Sequence, residues 1–161
     1  MIIFTRVDDR VIHGQTMVLW FSDYPCDGIL IIDDELAHDP VMAQIYASAV
    51  TDIRVHVFDI ATALKKIPEA QASSKRYIVI FKSILTFSQM VDKGSSFTKE
   101  FNVGPCSKRP DTVEIVPTIS LNKNEIDAYK KIASAGIKAY FQIVPSNRKV
   151  WWEDVEKSHS F

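Results

Sequence analysis

Only two of the 161 residues are cysteines, Cys26 and Cys106, and neither has a CxxC partner or a His-rich neighbourhood. That excludes a disulfide framework and a zinc-type ligand set, and both cysteines read as reduced thiols of a cytoplasmic protein. An excess of one charge is also lacking. Nineteen Lys+Arg stand against twenty Asp+Glu, a net charge of −1, which argues against a general nucleic-acid binder. The longest apolar runs, such as Gly28–Ile32 and Ile78–Phe81, fall far short of the ~20 residues that a membrane helix needs. No secretory leader is expected, because Arg6, Asp8, Asp9 and Arg10 follow Met1–Phe4 before an apolar core can develop. There is no Walker A loop and no GxGxxG fingerprint, so nucleotide binding of those kinds has no support.

What is present is ordinary globular composition, 47% hydrophobic and 24% charged, in a chain of one-domain length. Short Val/Ile-rich runs alternate with helical patterns, the signature of a parallel sheet covered on both faces. Strands are expected at Ile2–Val7, Ile29–Asp33, Ile53–Phe58, Lys75–Ser83, Phe101–Val103, Val113–Val116 and Ile137–Val144. A helix is expected over Gly14–Asp23, and another from Asp39-Pro40 to about Val50, with Asp as N-cap and Pro at the first helical position. Asp59 caps a short helix expected to end before Pro68, and a further helix runs to Gly94. Asn122 and Glu125 form a capping box for a helix that turns Ile126, Tyr129 and Ile132 inward and stops at Gly136. The expected fold is α/β: one three-layer domain over residues 1–161, with an open, mostly parallel sheet of six or seven strands and helices on both faces. Such sheets bind ligands at the carboxyl ends of their strands, which directs attention to the loop after the first strand.

That loop is the least ordinary stretch of the chain. Arg6, Asp8, Asp9, Arg10 and His13 crowd between a buried strand and a helix. A charge at the end of an internal strand is costly unless paired, and Asp8 and Asp9 are the available partners of Arg6. His13 stands at the helix start, where the positive end of the dipole favours a neutral, nucleophilic imidazole and a nearby anion. Gly14 offers room, the backbone amides of Gly14, Gln15 and Thr16 can cradle phosphate oxygens, and the planar fork of Arg10 matches two of them. Asp8 or a backbone carbonyl is the expected acceptor of the other ring N–H of His13. On residue types alone two readings stay open: a phosphoryl acceptor, or a structural ion-pair cluster beside a capping histidine.

The run Arg6-Val7-Asp8-Asp9-Arg10-Val11-Ile12-His13-Gly14-Gln15, followed by Trp20, resembles the opening of the IIB component of the mannose/fructose/sorbose-type bacterial sugar phosphotransferase system. That family includes N-acetylgalactosamine members. The resemblance implies a phosphocarrier whose histidine, His13, receives a phosphoryl group from a IIA component and passes it to a sugar entering through membrane components IIC and IID. It implies that Asp8 and Arg10 hold the loop and the phosphate and that neither a metal nor another cofactor is needed; the residues themselves assign Gly14 and Gln15 as backbone donors and Arg6 to charge balance. It further implies a cytoplasmic protein held at the membrane through IIC/IID, with mannose, fructose, sorbose or an amino sugar as substrate. A homodimer is compatible with the sequence. The chain departs from the family at Gly104-Pro105-Cys106, where a Gly-Gly-Met run is common, so specificity rather than chemistry is in question there.

Three other readings compete with it. A non-catalytic module could use the same anion pocket to sense a phosphorylated partner. Asp33-Asp34 together with Asp8-Asp9 could form an acidic Mg²⁺ pocket like that of a receiver domain. Against that, Asp34 is expected to cap the next segment, Asp33 to be solvated, and Arg6 and Arg10 to oppose a cation. Lys108, Arg109, Arg148 and Lys149 could form a basic rim, or simply a scattered solvated face. His38, His56 and His159 share no metal-ligand spacing, and packing is the simplest account of the adjacent Trp151 and Trp152.

Overall fold

The computed structural model describes residues 1–50 and 52–159. Strand β1 spans Ile2–Val7 and helix α1 spans Gly14–Asp23, both at the expected bounds. Then come β2 (Gly28–Ile32), α2 (Asp34–Ala37), α3 (Pro40–Ser48), β3 (Arg54–Phe58), α4 (Ile60–Ala72), β4 (Tyr77–Phe81), α5 (Ile84–Asp92) and β5 (Glu100–Val103). The chain continues through β6 (Val113–Val116), β7 (Ile119–Leu121), α6 (Lys123–Ser134), β8 (Lys138–Phe141), β9 (Val150–Trp151) and α7 (Trp152–Ser158).

Seven strands form one sheet in the order β3-β2-β4-β1-β5-β8-β9, parallel except for the terminal β8–β9 pair. The apolar runs of β2 and β4 explain their central places, since a parallel strand covered on both faces has no solvent side. Their side chains alternate between two cores. Ile29, Ile31, Ile78 and Ile80 pack with Phe4, Met17 and Trp20 on the α1 side. Leu30, Ile32, Val79 and Phe81 pack with Ile67, Phe87 and Tyr129 on the other. Each of the four fully buried side chains Ile78–Phe81 contributes about 1.5–3 kcal/mol through burial. From β1 the chain crosses beyond β4 to β2, yet from β4 it crosses beyond β1 to β5. Strand order therefore reverses beside β1, and the loop after β1 emerges at that point.

Caps account for much of the helix placement. Asp39 accepts from the amides of Val41 and Met42, and Asn122 and Glu125 form the expected capping box. Gly136 closes α6 at φ +81°, a conformation glycine adopts without penalty.

Several expectations need correction. Helix α4 does not stop before Pro68 but runs through it to Ala72. Pro68 lies on the exposed side, where water can serve the carbonyl that loses its partner, while Ile67 and Ala70 bury on either side of it. Val113–Val116 leaves the main sheet and pairs antiparallel with β7 as a ribbon, burying Ile115, Ile119 and Leu121 against the core. In the tail, β9 and α7 bury Trp152 while Trp151 stays half-buried against Tyr140.

Candidate active site

Alternation along β1 points Phe4 and Arg6 toward α1, and Arg6 is entirely buried there. Burial pulls the Arg6 guanidinium below its ordinary range, while the neighbouring Asp8 carboxylate pulls it back up. The remedy for this costly placement is full pairing. Arg6 Nε and Nη2 both donate to Asp8 Oδ2, at 3.0 and 2.8 Å. Nη1 donates to Asn102 Oδ1 and, at 3.4 Å, to the Gln142 carbonyl, and Nη2 also reaches the Ile143 carbonyl at 3.5 Å. The guanidinium carbon lies 5.1 Å from the centre of the Trp20 ring. All five N–H donors of a guanidinium thus have protein acceptors, and none remains for a ligand. Arg6 supports the loop from beneath.

Asp8 is the hub of that loop. Its Oδ1 accepts from the Arg10 amide at 3.0 Å and lies 3.9 Å from Arg10 Nε. Asp8 is not hydrogen-bonded to His13 and so is not the acceptor of its ring N–H; both Asp8 oxygens already serve Arg6 and Arg10. Asp9 points elsewhere and accepts from the Ser107 amide at 2.8 Å, which ties the β1 loop to the segment after β5. Pro105 therefore lies in a segment bordering the loop. Val11 is buried in a left-handed conformation, φ +59°, which is strained for a β-branched residue. Its amide donates to the Asp8 carbonyl at 3.0 Å.

The strained turn delivers His13 to the N-cap of α1, with φ −131°, an exposed side chain and no capping hydrogen bond from it. Gly14 follows at φ +31°, and a side chain added there would meet no atom within 4 Å. The His13 side chain caps none of the first-turn amides of α1, and no acidic residue stands in that turn. By contrast, α2 to α6 open on the capping side chains of Asp33, Asp39, Asp59, Ser83 and Asn122. Arg10, with its side chain 37% exposed, is the loop cation that retains free donors. An exposed imidazole, a helix N-terminus that its own N-cap side chain leaves open and a half-free guanidinium share one short segment at the carboxyl edge of the sheet, an arrangement suited to holding an oxyanion.

Sequence reasoning missed three members of this assembly. Asn102 lies on β5 and Gln142 just beyond β8, both buried, and Asn102 Nδ2 donates to the Gln142 carbonyl at 3.0 Å. A lone amide inside an apolar strand was the available signal. Gly104 is the third, since a Cβ there would lie 2.5 Å from Asp8 Oδ2 and 2.7 Å from the Arg6 guanidinium carbon.

The Asp33-Asp34 pair has a different division of labour from the expected one. Asp33 is buried and caps α2 through the Leu36 amide, and Asp34 accepts from the Ile60 amide at 2.8 Å. Both line a cavity of about 340 Å³ with Asp9, Lys82 and Arg109. Among the described residues, no group of three or more His, Cys, Asp or Glu side chains is arranged to hold a metal ion. Of the four candidate rim cations, Arg109 pairs with Glu125 at 2.5 Å and Lys149 lies over the Tyr140 ring at 3.9 Å, while Lys108 and Arg148 are exposed.

Fold and loop together define an α/β protein with an exposed histidine at the N-cap of α1, beside its strand-order reversal. Residues 2–161 match the family described as the PTS system sorbose subfamily IIB component, and the chain belongs to that family, the IIB components of a sugar-transporting phosphotransferase system. It is 26% identical over 151 residues to the mannose-specific EIIAB component of Escherichia coli K12, covering 93% of this chain and 46% of that protein. The chain thus spans about half the length of that relative. It is 27% identical to the N-acetylgalactosamine-specific phosphotransferase enzyme IIB component 2 of the same organism, covering 92% and 94% of the two chains. Among solved structures, manxB from Thermoanaerobacter tengcongensis superimposes with a TM-score of 0.89 at 32% identity, covering 99% of this chain and 96% of that one. The IIBSor domain of the sorbose permease from Klebsiella pneumoniae has the same fold, with a TM-score of 0.91 at 24% identity and coverage of 100% and 99%. Among the described residues, no helix is long and apolar enough to cross a membrane.

Proposed function

We propose that residues 1–161 act as one phosphocarrier domain that accepts a phosphoryl group on His13 from a phosphorylated IIA protein and gives it to a sugar taken up through IIC and IID. The observation that carries this reading is the exposed His13 at the N-terminus of α1, which its own side chain leaves open, on the same loop as Arg10. A neutral ring nitrogen of His13 attacks phosphorus in line. The N–P bond to the donor imidazole breaks as the N–P bond to His13 forms, the donor ring leaves with the electron pair, and protons exchanged with solvent balance the two rings. The donor is already an activated phosphoramidate, so positioning and charge stabilisation suffice. The first-turn amides and Arg10 take the phosphoryl oxygens, and Asp8, held by Arg6, fixes the loop. In the second transfer the sugar hydroxyl replaces the imidazole at phosphorus and its proton is released.

His13→Gln tests this directly. The variant should keep the wild-type circular dichroism and melting temperature while incorporating no phosphoryl group from phospho-IIA. Incorporation that survives the substitution would refute the role given to His13.

A further inference from the structure

Helix α1 carries His13 at its N-cap, yet few of its side chains reach the core. Among its described side chains only Met17 and Trp20 are buried, while Val18, Leu19 and Ser22 are exposed. Trp20 is also the one described side chain of the helix that hydrogen-bonds outside it. Its indole Nε1 donates to the Ile143 carbonyl at 3.1 Å. That carbonyl, just beyond β8, is the one that Arg6 Nη2 approaches at 3.5 Å. The Trp20 ring stacks on Phe4 with centroids 4.8 Å apart, and the Arg6 guanidinium carbon lies 5.1 Å from its centre. Phe4 and Arg6 both belong to β1. The histidine loop therefore meets one carbonyl from both of its ends, through Arg6 on β1 and through Trp20 about two turns along α1.

We propose that Trp20 is a positioning residue for phosphoryl acceptance at His13, an inference that rests on the phosphocarrier reading of that histidine. His13 is exposed and makes no capping bond, so its place relative to Arg10 is set by what holds the two ends of the loop. Arg6 and Asp8 hold the Arg10 end, through the Arg10 amide. Trp20 holds the His13 end, through the helix that begins there, and the Ile143 carbonyl fixes the two against each other. A phenylalanine would fill the same core and stack on Phe4, but it would lack the donor. The Ile143 carbonyl would then keep only Arg6 Nη2 at 3.5 Å, a contact at the limit of hydrogen bonding. Helix α1 would be free to slide on the sheet, and the guanidinium would be drawn from Asp8 toward that carbonyl. A shift of about 1 Å between the acceptor ring and the groups that hold the phosphate is enough to cost a large factor in rate.

The test compares full-length wild type with Trp20→Phe and with a chain in which benzothienylalanine replaces Trp20, putting sulfur where Nε1–H stood and keeping the shape of the indole. Ile29→Val, on β2 in the same core, is the control for loosened packing. Acceptance is measured from phospho-IIA at varied concentration and from phosphoramidate, whose P–N bond breaks as the His13–P bond forms, releasing ammonia. Both replacements of Trp20 should lower kcat by about five- to tenfold with either donor and leave KM for phospho-IIA within about twofold. Both should also shift the Arg10 amide resonance, which reports the bond to Asp8. Ile29→Val should lower the urea midpoint, yet leave kcat within about twofold and that resonance in place. Wild-type kcat in the benzothienylalanine chain would overturn the positioning role, and so would a loss in Ile29→Val as large as that in Trp20→Phe. Wild type that takes no phosphoryl group from either donor would overturn the phosphocarrier reading and this inference with it.

Discussion

Arg6 places two of its nitrogens on a single oxygen of Asp8, at 3.0 and 2.8 Å, with the two side chains 0% and 4% exposed. The other oxygen of the same carboxylate is left to the Arg10 amide. One buried ion pair therefore determines the backbone of the loop that ends in His13.

Removing one partner of that pair should be far worse than removing both. Arg6→Met leaves the buried Asp8 with only the Arg10 amide and a 3.9 Å approach of Arg10 Nε, and should cost about 3–5 kcal/mol in urea denaturation. The double variant Arg6→Met/Asp8→Leu should recover most of that loss, yet phosphoryl acceptance should remain depressed because the Arg10 amide has lost its anchor. Full activity in the stable double variant would contradict the role given to Asp8.

Gly104→Ala places a methyl group within 2.5 Å of Asp8 Oδ2. Overpacking of this kind should destabilise by about 1–3 kcal/mol, read as a lower urea midpoint, and should slow acceptance at His13 more than Gly14→Ala does. Gly14 has open space around it, and only its φ of +31° penalises a side chain there.

Arg10→Lys keeps the charge and loses the fork. Transfer should slow by about tenfold or more, while stability stays within about 0.5 kcal/mol, because an exposed guanidinium 3.9 Å from its partner contributes little to folding. An unchanged rate would remove Arg10 from the phosphate contacts.

The acid limb of stability should include Asp59, the cap of α4. Its hydrogen bonds from Thr62 hold the carboxyl below the usual carboxylate range. The unfolded chain therefore takes up its proton first as pH falls. This contribution is complete above about pH 5 and is lost as pH drops through about 4 and below, toward the depressed folded value. Asp59→Asn should flatten that limb of the urea midpoint against pH and leave the neutral region nearly unchanged.

The parts of the molecule legible in the sequence are those governed by near neighbours. Ile2–Val7, Gly14–Asp23, the Asp39-Pro40 start and the Asn122–Glu125 box all depend on residues within a turn or two. The partners of Arg6 are different. Asn102 and the Gln142 carbonyl lie 96 and 136 residues away, and they come together only because β1, β5 and β8 are neighbours in the sheet. The continuation of α4 through Pro68 was hidden for another reason. The local penalty of proline is real, but the burial of Ile67 and Ala70 outweighs it once the sheet is beside them. For Asp33 and Asp34 the two residue types were identical, and only the direction of the chain after β2 decides which one caps α2.

The most direct measurement is intact-mass analysis after incubation with phosphoenolpyruvate, the general phosphotransferase proteins and a IIA component, repeated after mild acid and after alkali, with peptide mapping. A single added phosphoryl group that is lost in acid, survives alkali and maps to His13 is the predicted result. No addition in the presence of demonstrably phosphorylated cognate IIA, or an alkali-labile adduct on an aspartate, would contradict it.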